Sequence, residues 1–214
     1  MRLKRTITAL AVAATTSLVT TFAVAQPSTG ARHHQDDVLT VAQRPALPAS
    51  LPRFSVTLPD IPPGGSFGQE NLLDWGGCTG GNKSPAIRWS GAPAGTKSYL
   101  ISLFDLDSKT SSGFWHWSVW NIPAGTTSLP EGAGTPGNPG LPAPSVLGRT
   151  DFGMTGYGGA CPPPGDTAHR YVFTVAALDT ADIQVPPDLP MAAVNVVMQE
   201  HALAAGYRTV LTGR

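Results

Sequence analysis

Glycine and proline divide this chain into short pieces, which constrains its fold more than any other feature of the sequence. The 214 residues include 24 glycines and 21 prolines. Glycine reaches backbone conformations that other residues avoid, and proline fixes φ and lacks an N–H donor, so both favour turns over helix interiors. Their content is still below the level typical of disordered chains. The sequence therefore predicts a β-rich domain with many turns and a hydrophobic core.

Strand patterns occupy most of the segments between these turns. They lie at residues 54–58, 86–89, 98–105, 114–122 and 170–178. Residues 123–145 are rich in proline and glycine and predict a long loop. Apolar residues at helical spacing predict one helix over residues 191–205, with Pro190 at its start and Gly206 as its C-terminal cap. We therefore expect a mainly β fold, a β-sandwich with one helix near the C-terminus.

The N-terminal segment has the pattern of a secretory signal peptide. Three basic residues, at positions 2, 4 and 5, precede an apolar run over residues 7–24, and residues 23–25 read Ala-Val-Ala. We assign residues 1–25 to a signal peptide, 26–52 to a flexible linker and 53–214 to the folded domain. A single membrane anchor is the alternative. Export implies that the protein is secreted or stays in the periplasm or cell envelope. We expect no transmembrane segment after the signal peptide is cleaved.

The mature chain keeps two cysteines, Cys78 and Cys161. An even number of cysteines in an exported protein favours a disulfide. Two buried free thiols, packed as small apolar side chains, are the alternative.

The charge composition argues against a nucleic-acid binder. Only 13% of the residues are charged, and 14 basic residues balance 14 acidic ones. A nucleic-acid-binding domain carries a basic patch and a net positive charge. We therefore expect no nucleic acid among the partners.

The segment 153–171 contains the strongest signal of a binding site. Its glycines allow close approach to backbone N–H groups, and its prolines stiffen the loop that follows. If residues 169–175 form a strand, His169 and Tyr171 share one face and Arg170 points the other way. This arrangement suits a small pocket for an anion.

Three more polar residues are candidates for the same site. Asp105 and Asp107 follow a buried strand, and their spacing places both carboxylates on one face if the strand continues that far. His116 lies between Trp115 and Trp117. Each candidate also has a purely structural interpretation, as a turn cap for aspartate or as a packed side chain for histidine and Tyr171.

The motifs of common hydrolases are missing. Two histidines and two aspartates are enough for a metal site, but the sequence lacks HExxH and every other tight ligand spacing. It also lacks the G-x-S-x-G nucleophile elbow. We therefore expect no enzyme, no metal and no cofactor, and we rank a hydrolase last.

The chain resembles the phosphatidylethanolamine-binding protein family, in particular its bacterial Raf-kinase-inhibitor-like branch. The resemblance covers about residues 54–207. It rests on the order and spacing of six short motifs: GNKSPAIRW at 81–89, GTKS at 95–98, DLD at 105–107, WHWSVWNIP at 115–123, GYGGACPPPG at 156–165 and HRY at 169–171.

The resemblance implies a two-sheet antiparallel β-sandwich with a small pocket near one end. In the family this pocket binds phosphate-type anions, including phospholipid headgroups. By motif position, the resemblance assigns seven residues to the pocket and its wall: Asp105, His116, Gly159, Pro162, Pro163, His169 and Tyr171. Asp105 is then expected to orient one of the two histidines and to raise its pKa, so that anion binding weakens as the pH rises.

Two departures from the family pattern concern the pocket. The family's acidic block usually reads Asp-Pro-Asp-Ala-Pro, whereas residues 105–109 read DLDSK. Both prolines are absent, and Lys109 adds a positive charge near the pocket mouth. The usual Gly-Pro step before the Pro-Pro pair is replaced by Ala160 and Cys161. A bridge from Cys161 to Cys78 would hold the loop that proline otherwise stiffens.

These observations predict an exported, non-catalytic binding protein for a small anion or a phospholipid headgroup. The alternative is an exported inhibitor or effector of a kinase, a protease or a host protein. In that case the loop 123–145 and an exposed edge of the tryptophan cluster at 115–120 would contact the protein partner.

Overall fold

Two antiparallel β-sheets and one α-helix carry the regular structure of residues 47–48, 50–110 and 112–214, which the computed structural model describes. The small sheet has the order β1-β2-β5 and the large sheet the order β6-β4-β3-β7-β8. The elements are β1 (Ser55–Thr57), β2 (Ile87–Ser90), β3 (Ser98–Asp105), β4 (Phe114–Pro123), β5 (Ser128–Leu129), β6 (Val146–Leu147), β7 (His169–Leu178), α1 (Met191–His201) and β8 (Ala202–Thr212). A 3-10 turn spans Gln69–Asn71. The predicted two-sheet β fold with a helix near the C-terminus is confirmed.

The large sheet is the middle layer and is covered on both faces. One apolar cluster lies between the two sheets and includes Trp89, Leu103 and Phe173. A second cluster lies between the large sheet and α1 and includes Leu100 and Met198. Because both faces are covered, every residue of β3 is buried. This explains why that strand has no polar and apolar alternation in the sequence.

The C-terminal region differs from the sequence prediction. The helix ends at His201, and the chain continues directly into β8, which pairs with β7 along its whole length. Gly206 lies inside this strand and is not a helix cap. A Cβ atom there would lie 2.4 Å from Cγ2 of Val56 and 2.7 Å from the carbonyl oxygen of Phe54. The small residue is therefore required by the close approach of the segment that enters β1.

The tryptophan cluster also differs from expectation. Trp115, Trp117 and Trp120 are all buried, divided between the two apolar clusters. The prediction that this cluster has an exposed edge is therefore wrong. The exposed tryptophan of the described residues is Trp75, at 66% exposure. In addition, the predicted loop 123–145 contains β5, which pairs with β2.

The predicted signal peptide, residues 1–25, and most of the predicted linker lie outside the described residues. Near the end of that linker, Leu47 is buried in the cluster beneath α1, and Leu51 packs against the same cluster. Apolar packing therefore begins before Arg53. In the described part of the chain, no helix is long and apolar enough to cross a membrane.

Candidate functional site

A cavity of about 360 Å³ opens at the end of the large sheet where β3 ends and β4 and β7 begin. The strand register brings these ends together, because Asp105 pairs with Phe114 on one side and with Tyr171 on the other. Six of the seven residues assigned from the sequence line the cavity: Asp105, His116, Pro162, Pro163, His169 and Tyr171.

Asp105 and His169 form the buried centre of the site. Oδ2 of Asp105 lies 2.8 Å from Nδ1 of His169, and each side chain is only 5% exposed. The second carboxylate oxygen of Asp105 accepts a hydrogen bond from the backbone N–H of Asp107 at 2.9 Å. Both oxygens are thus engaged, and the carboxylate fixes the histidine ring with Nε2 on its opposite side.

Arg170 and Asp107 stabilise the loop behind the cavity. Strand alternation places Arg170 on the face opposite His169 and Tyr171, as predicted. Nε and Nη2 of Arg170 lie 2.8 and 2.6 Å from the two carboxylate oxygens of Asp107. This two-point hydrogen bond holds the pKa of Asp107 below its usual range. Because β3 ends at Asp105, the two carboxylates do not share a face. Asp107 therefore lies outside the cavity and holds the loop that lacks the family's prolines.

A β-bulge places His116 in the cavity. Leu103 pairs with Trp117 and the next residue of β3, Phe104, pairs with Trp115, so His116 has no partner in the register. The bulge lets the two tryptophans pack into different apolar clusters while the histidine ring lies 5.2 Å from the ring of Tyr171. Bulges commonly redirect a side chain beside a binding site.

His116 is neutral, and its Nδ1 carries the hydrogen. This atom lies 2.9 Å from the carbonyl oxygen of Gly158 and 3.2 Å from that of Gly159, and carbonyl oxygens only accept hydrogen bonds. Burial lowers the pKa of His116, opposed by those carbonyls and by the Asp105 carboxylate. Of the two histidines, Asp105 contacts His169, whereas backbone carbonyls hold His116. Its Nε2 is a hydrogen-bond acceptor.

Tyr171 keeps its phenolic hydrogen. Burial, followed by the nearby Asp105 carboxylate, raises the pKa of this tyrosine far above its usual value. Its ring packs edge-on against Phe67 at 5.4 Å and stacks with His169 at 6.3 Å. The hydroxyl is therefore a hydrogen-bond donor at every physiological pH.

Gly159 lies behind the cavity wall and is not among the residues that line the cavity. Its N–H donates to Oδ1 of Asn82 at 2.7 Å, and its carbonyl oxygen faces His116. A Cβ atom at this position would lie 2.4 Å from the backbone of Leu72 and Leu73. Glycine is therefore needed because two backbone segments pack together here, and its effect on the cavity is to position His116.

A disulfide joins Cys78 to Cys161. Cys161 borders the cavity directly before Pro162 and Pro163. The bridge thus connects the proline wall to the turn at residues 74–78. Nη1 of Arg214 lies 2.8 Å from Sγ of Cys78, beside this bridge. The structure agrees with the disulfide expected from the two cysteines of the mature chain.

Several residues of the site were not selected from the sequence. Phe152 packs edge-on against His116 at 5.2 Å and against Phe114 at 4.6 Å, closing one side of the cavity. Asp166 lies 2.8 Å from Nζ of Lys109 and 3.5 Å from Nε2 of His169. The sequence carries little signal for either residue, because the rings around Phe152 and the lysine that holds Asp166 belong to distant segments. Among the described side chains, no group of three or more potential ligands could hold a metal ion.

Comparison with known proteins gives consistent matches. A family model described as phosphatidylethanolamine-binding protein matches residues 60–212. YbcL of Escherichia coli is 42% identical over 167 residues, which cover 78% of this chain and 91% of YbcL. YbhB of the same organism is 42% identical over 152 residues, covering 71% of this chain and 95% of YbhB.

Structural comparison agrees with the sequence matches. The crystal structure of Escherichia coli YbcL, described as a new member of the mammalian PEBP family, aligns with a TM-score of 0.73. The alignment covers 75% of this chain and 98% of YbcL. A protein of Mycobacterium tuberculosis named lipoprotein LppC is 34% identical over 110 residues, covering 51% of this chain and 50% of LppC.

Proposed function

Because the chain belongs to the phosphatidylethanolamine-binding protein family, we propose that it is an exported, non-catalytic protein whose cavity binds a phosphate-type anion. The observation that carries this proposal is the buried pair of Asp105 and His169. The carboxylate takes Nδ1, so Nε2 is the histidine nitrogen left for a ligand. The phosphate of a phospholipid headgroup or of a free phosphoester has the matching chemistry.

Four groups complement different parts of such an anion. The Tyr171 hydroxyl donates a hydrogen bond, and the imidazolium form of His169 donates from Nε2. Lys109 adds a cation at the mouth of the cavity, where its side chain is 73% exposed. Neutral His116 accepts at Nε2, so it pairs with a hydrogen-bond donor on the ligand. A phosphate that carries one hydrogen satisfies both kinds of partner.

Size supports a headgroup or a small phosphoester as the ligand. A cavity of about 360 Å³ lies near the lower end of the range for small-molecule sites. It holds a phosphate with a short substituent, while the acyl chains of a phospholipid would stay outside.

Export is supported by two independent observations. The disulfide of Cys78 and Cys161 is typical of proteins that fold in an oxidising compartment. The relative named a lipoprotein is consistent with a place in the cell envelope. We accordingly assign residues 1–25 to a cleaved signal peptide, followed by a linker that ends before Leu47, where the packing of the binding domain begins. Mass spectrometry of the mature protein tests this assignment, which fails if the N-terminal residues are retained.

Titration calorimetry with phosphorylethanolamine tests the binding function. We expect saturable one-site binding by the wild type and its loss in His169→Asn, because asparagine removes the ring that carries Nε2. His201→Asn is the control: it alters a histidine that also pairs with an aspartate, Asp179 at 2.9 Å, but outside the cavity. Equal affinity of the wild type and His169→Asn would exclude the proposed site.

A role as an inhibitor or effector is the second candidate, and Trp75 is the observation that favours it. This side chain is 66% exposed and packs edge-on against Phe152 at 6.2 Å, beside the cavity. Exposed tryptophans are enriched among the residues that anchor protein interfaces. Co-purification of one defined partner that Trp75→Ala abolishes and His169→Asn leaves intact would support this function over anion binding.

A further inference from the structure

Asp166 lies between Lys109 and His169, two residues that line the cavity. Its Oδ1 is 2.8 Å from Nζ of Lys109, and its Oδ2 is 3.5 Å from Nε2 of His169. The side chain is 20% exposed, so the contact is partly shielded from water. The hydrogen bond from Lys109, followed by the contact with His169, keeps the pKa of Asp166 below its usual range, and the group is a carboxylate at neutral pH.

Asp105 and Asp166 bracket His169, but they differ in their surroundings. Asp105 is buried at Nδ1, and both of its oxygens are engaged inside the protein. Asp166 is at the outer nitrogen, Nε2, and is held there by one exposed lysine. Only Asp166 can therefore be released without breaking up the buried centre of the site.

Asp166 does not itself line the cavity, but its carboxylate reaches two residues that do, Lys109 and His169. A carboxylate and a phosphate both present anionic oxygens to N–H donors. Asp166 already places its oxygens beside Nε2 of His169 and Nζ of Lys109, the atoms that the ligand would otherwise contact. One anion must therefore leave when the other binds.

We propose that Asp166 is an internal competitor that occupies the anion position at His169 and Lys109, and that a phosphate group binds by displacing it. This inference rests on the proposed binding function. Asp166 then determines how tightly an anion must bind His169 and Lys109 in order to enter the cavity. A phosphate has enough oxygens to contact Nε2 of His169, Lys109 and the Tyr171 hydroxyl together. A simple carboxylate ligand would only make the contacts that Asp166 already makes.

Titrations of wild type and Asp166→Asn with inorganic phosphate and with phosphorylethanolamine test the proposal. We expect Asp166→Asn to bind both ligands about tenfold more tightly, the change expected when one charge-assisted hydrogen bond no longer has to be displaced. The control is Asp179→Asn, which removes the same charge from an exposed aspartate–histidine pair. It should leave both affinities unchanged. The wild-type affinities for the two ligands show whether free phosphate or the headgroup fits the cavity better.

The possible outcomes separate this inference from the proposed function. If the wild type binds phosphate and Asp166→Asn binds it no more tightly, the competitor is excluded and the binding function stands. If phosphate binding tightens but phosphorylethanolamine binding weakens, Asp166 contacts the ligand's ammonium group and the proposal is overturned. If neither protein binds either ligand, the binding function itself is wrong. Asp166→Ser repeats the test if the asparagine variant does not fold.

Discussion

Oδ2 of Asp105, the last residue of β3, lies 2.8 Å from Nδ1 of His169, the first residue of β7. The two residues are 64 positions apart in the chain, and the antiparallel pairing of β3 with β7 brings them together. Both side chains are buried. The pairing of two inner strands of the large sheet thus positions the polar pair on which the proposed binding function depends.

Asp105→Asn should weaken the binding of phosphorylethanolamine at least tenfold. Asparagine keeps the size of the side chain, but its amide N–H₂ can take the place of the oxygen that contacts Nδ1 of His169, so the ring is no longer held in one tautomer. Calorimetry measures the affinity, and ¹⁵N NMR of the imidazole reports whether the ring keeps one fixed tautomer. An unchanged affinity together with an unchanged imidazole spectrum would show that Asp105 does not position His169 for binding.

Tyr171→Phe should weaken anion binding by about 1–2 kcal/mol, roughly fivefold to thirtyfold, because one hydrogen-bond donor is lost while ring packing remains. Tyr157→Phe is the matched control, since the Tyr157 hydroxyl is buried and donates to the carbonyl oxygen of Asn71 at 2.9 Å, and Tyr157 does not line the cavity. The control should lose about 1 kcal/mol of stability in urea and keep its affinity. Equal effects of both variants on binding would mean that Tyr171 acts only through packing.

Removal of the disulfide should destabilise the protein and loosen the cavity wall. The bridge closes a loop with a sequence separation of 83 residues. We expect Cys78→Ala/Cys161→Ala to lose about 2–5 kcal/mol of unfolding free energy in urea, the range typical of a native disulfide. Because Cys161 directly precedes Pro162 in the cavity wall, the affinity for phosphate should fall as well. A variant with lower stability but full affinity would show that the bridge does not support the wall.

His116 should make the protein less stable in mildly acidic solution. The unfolded chain protonates this histidine near pH 6.5, whereas burial keeps its pKa lower in the folded protein. Between the two values the unfolded state binds more protons, so the contribution is complete above about pH 6.5 and is lost as the pH falls toward the folded pKa. Urea denaturation between pH 8 and pH 5 measures it, and His116→Gln should flatten the profile in this range.

The acidic groups of the site act in a separate pH range. The pKa values of Asp107 and Asp166 are lowered in the folded protein, so their contributions are present above about pH 4 and are lost below it. A loss of stability between pH 6.5 and pH 5 that persists in His116→Gln would contradict the assignment of this change to His116.

Local sequence patterns predicted the strands that carry the site. Period-two alternation in residues 169–175 placed His169 and Tyr171 on one face and Arg170 on the other, and the register of β7 has this arrangement. His116 was a candidate from its own position in the sequence, and the family motif assigned it to the same pocket; the bulge leaves its Nε2 for a ligand. That bulge has no local signal, because it depends on how β4 pairs with β3.

The errors came from tertiary contacts. Small apolar residues at 202–205 continued the helical spacing of α1, but they lie in β8, whose pairing with β7 determines the local structure. Asp107 was a candidate for the cavity, but it lies outside because it binds Arg170 of the neighbouring strand. Asp166 was not predicted as a site residue because its partner Lys109 is 57 positions away in the chain.

The most direct test of the proposed binding site is a crystal structure of the protein grown or soaked in phosphate, in a lattice that leaves the cavity mouth open. We predict one phosphate in the cavity between His116 and His169, within hydrogen-bonding distance of Nε2 of His169 and of the Tyr171 hydroxyl, with the Asp166 carboxylate displaced from His169. An empty cavity at millimolar phosphate, or phosphate bound only at surface lysines, would contradict the assignment of this cavity as an anion site.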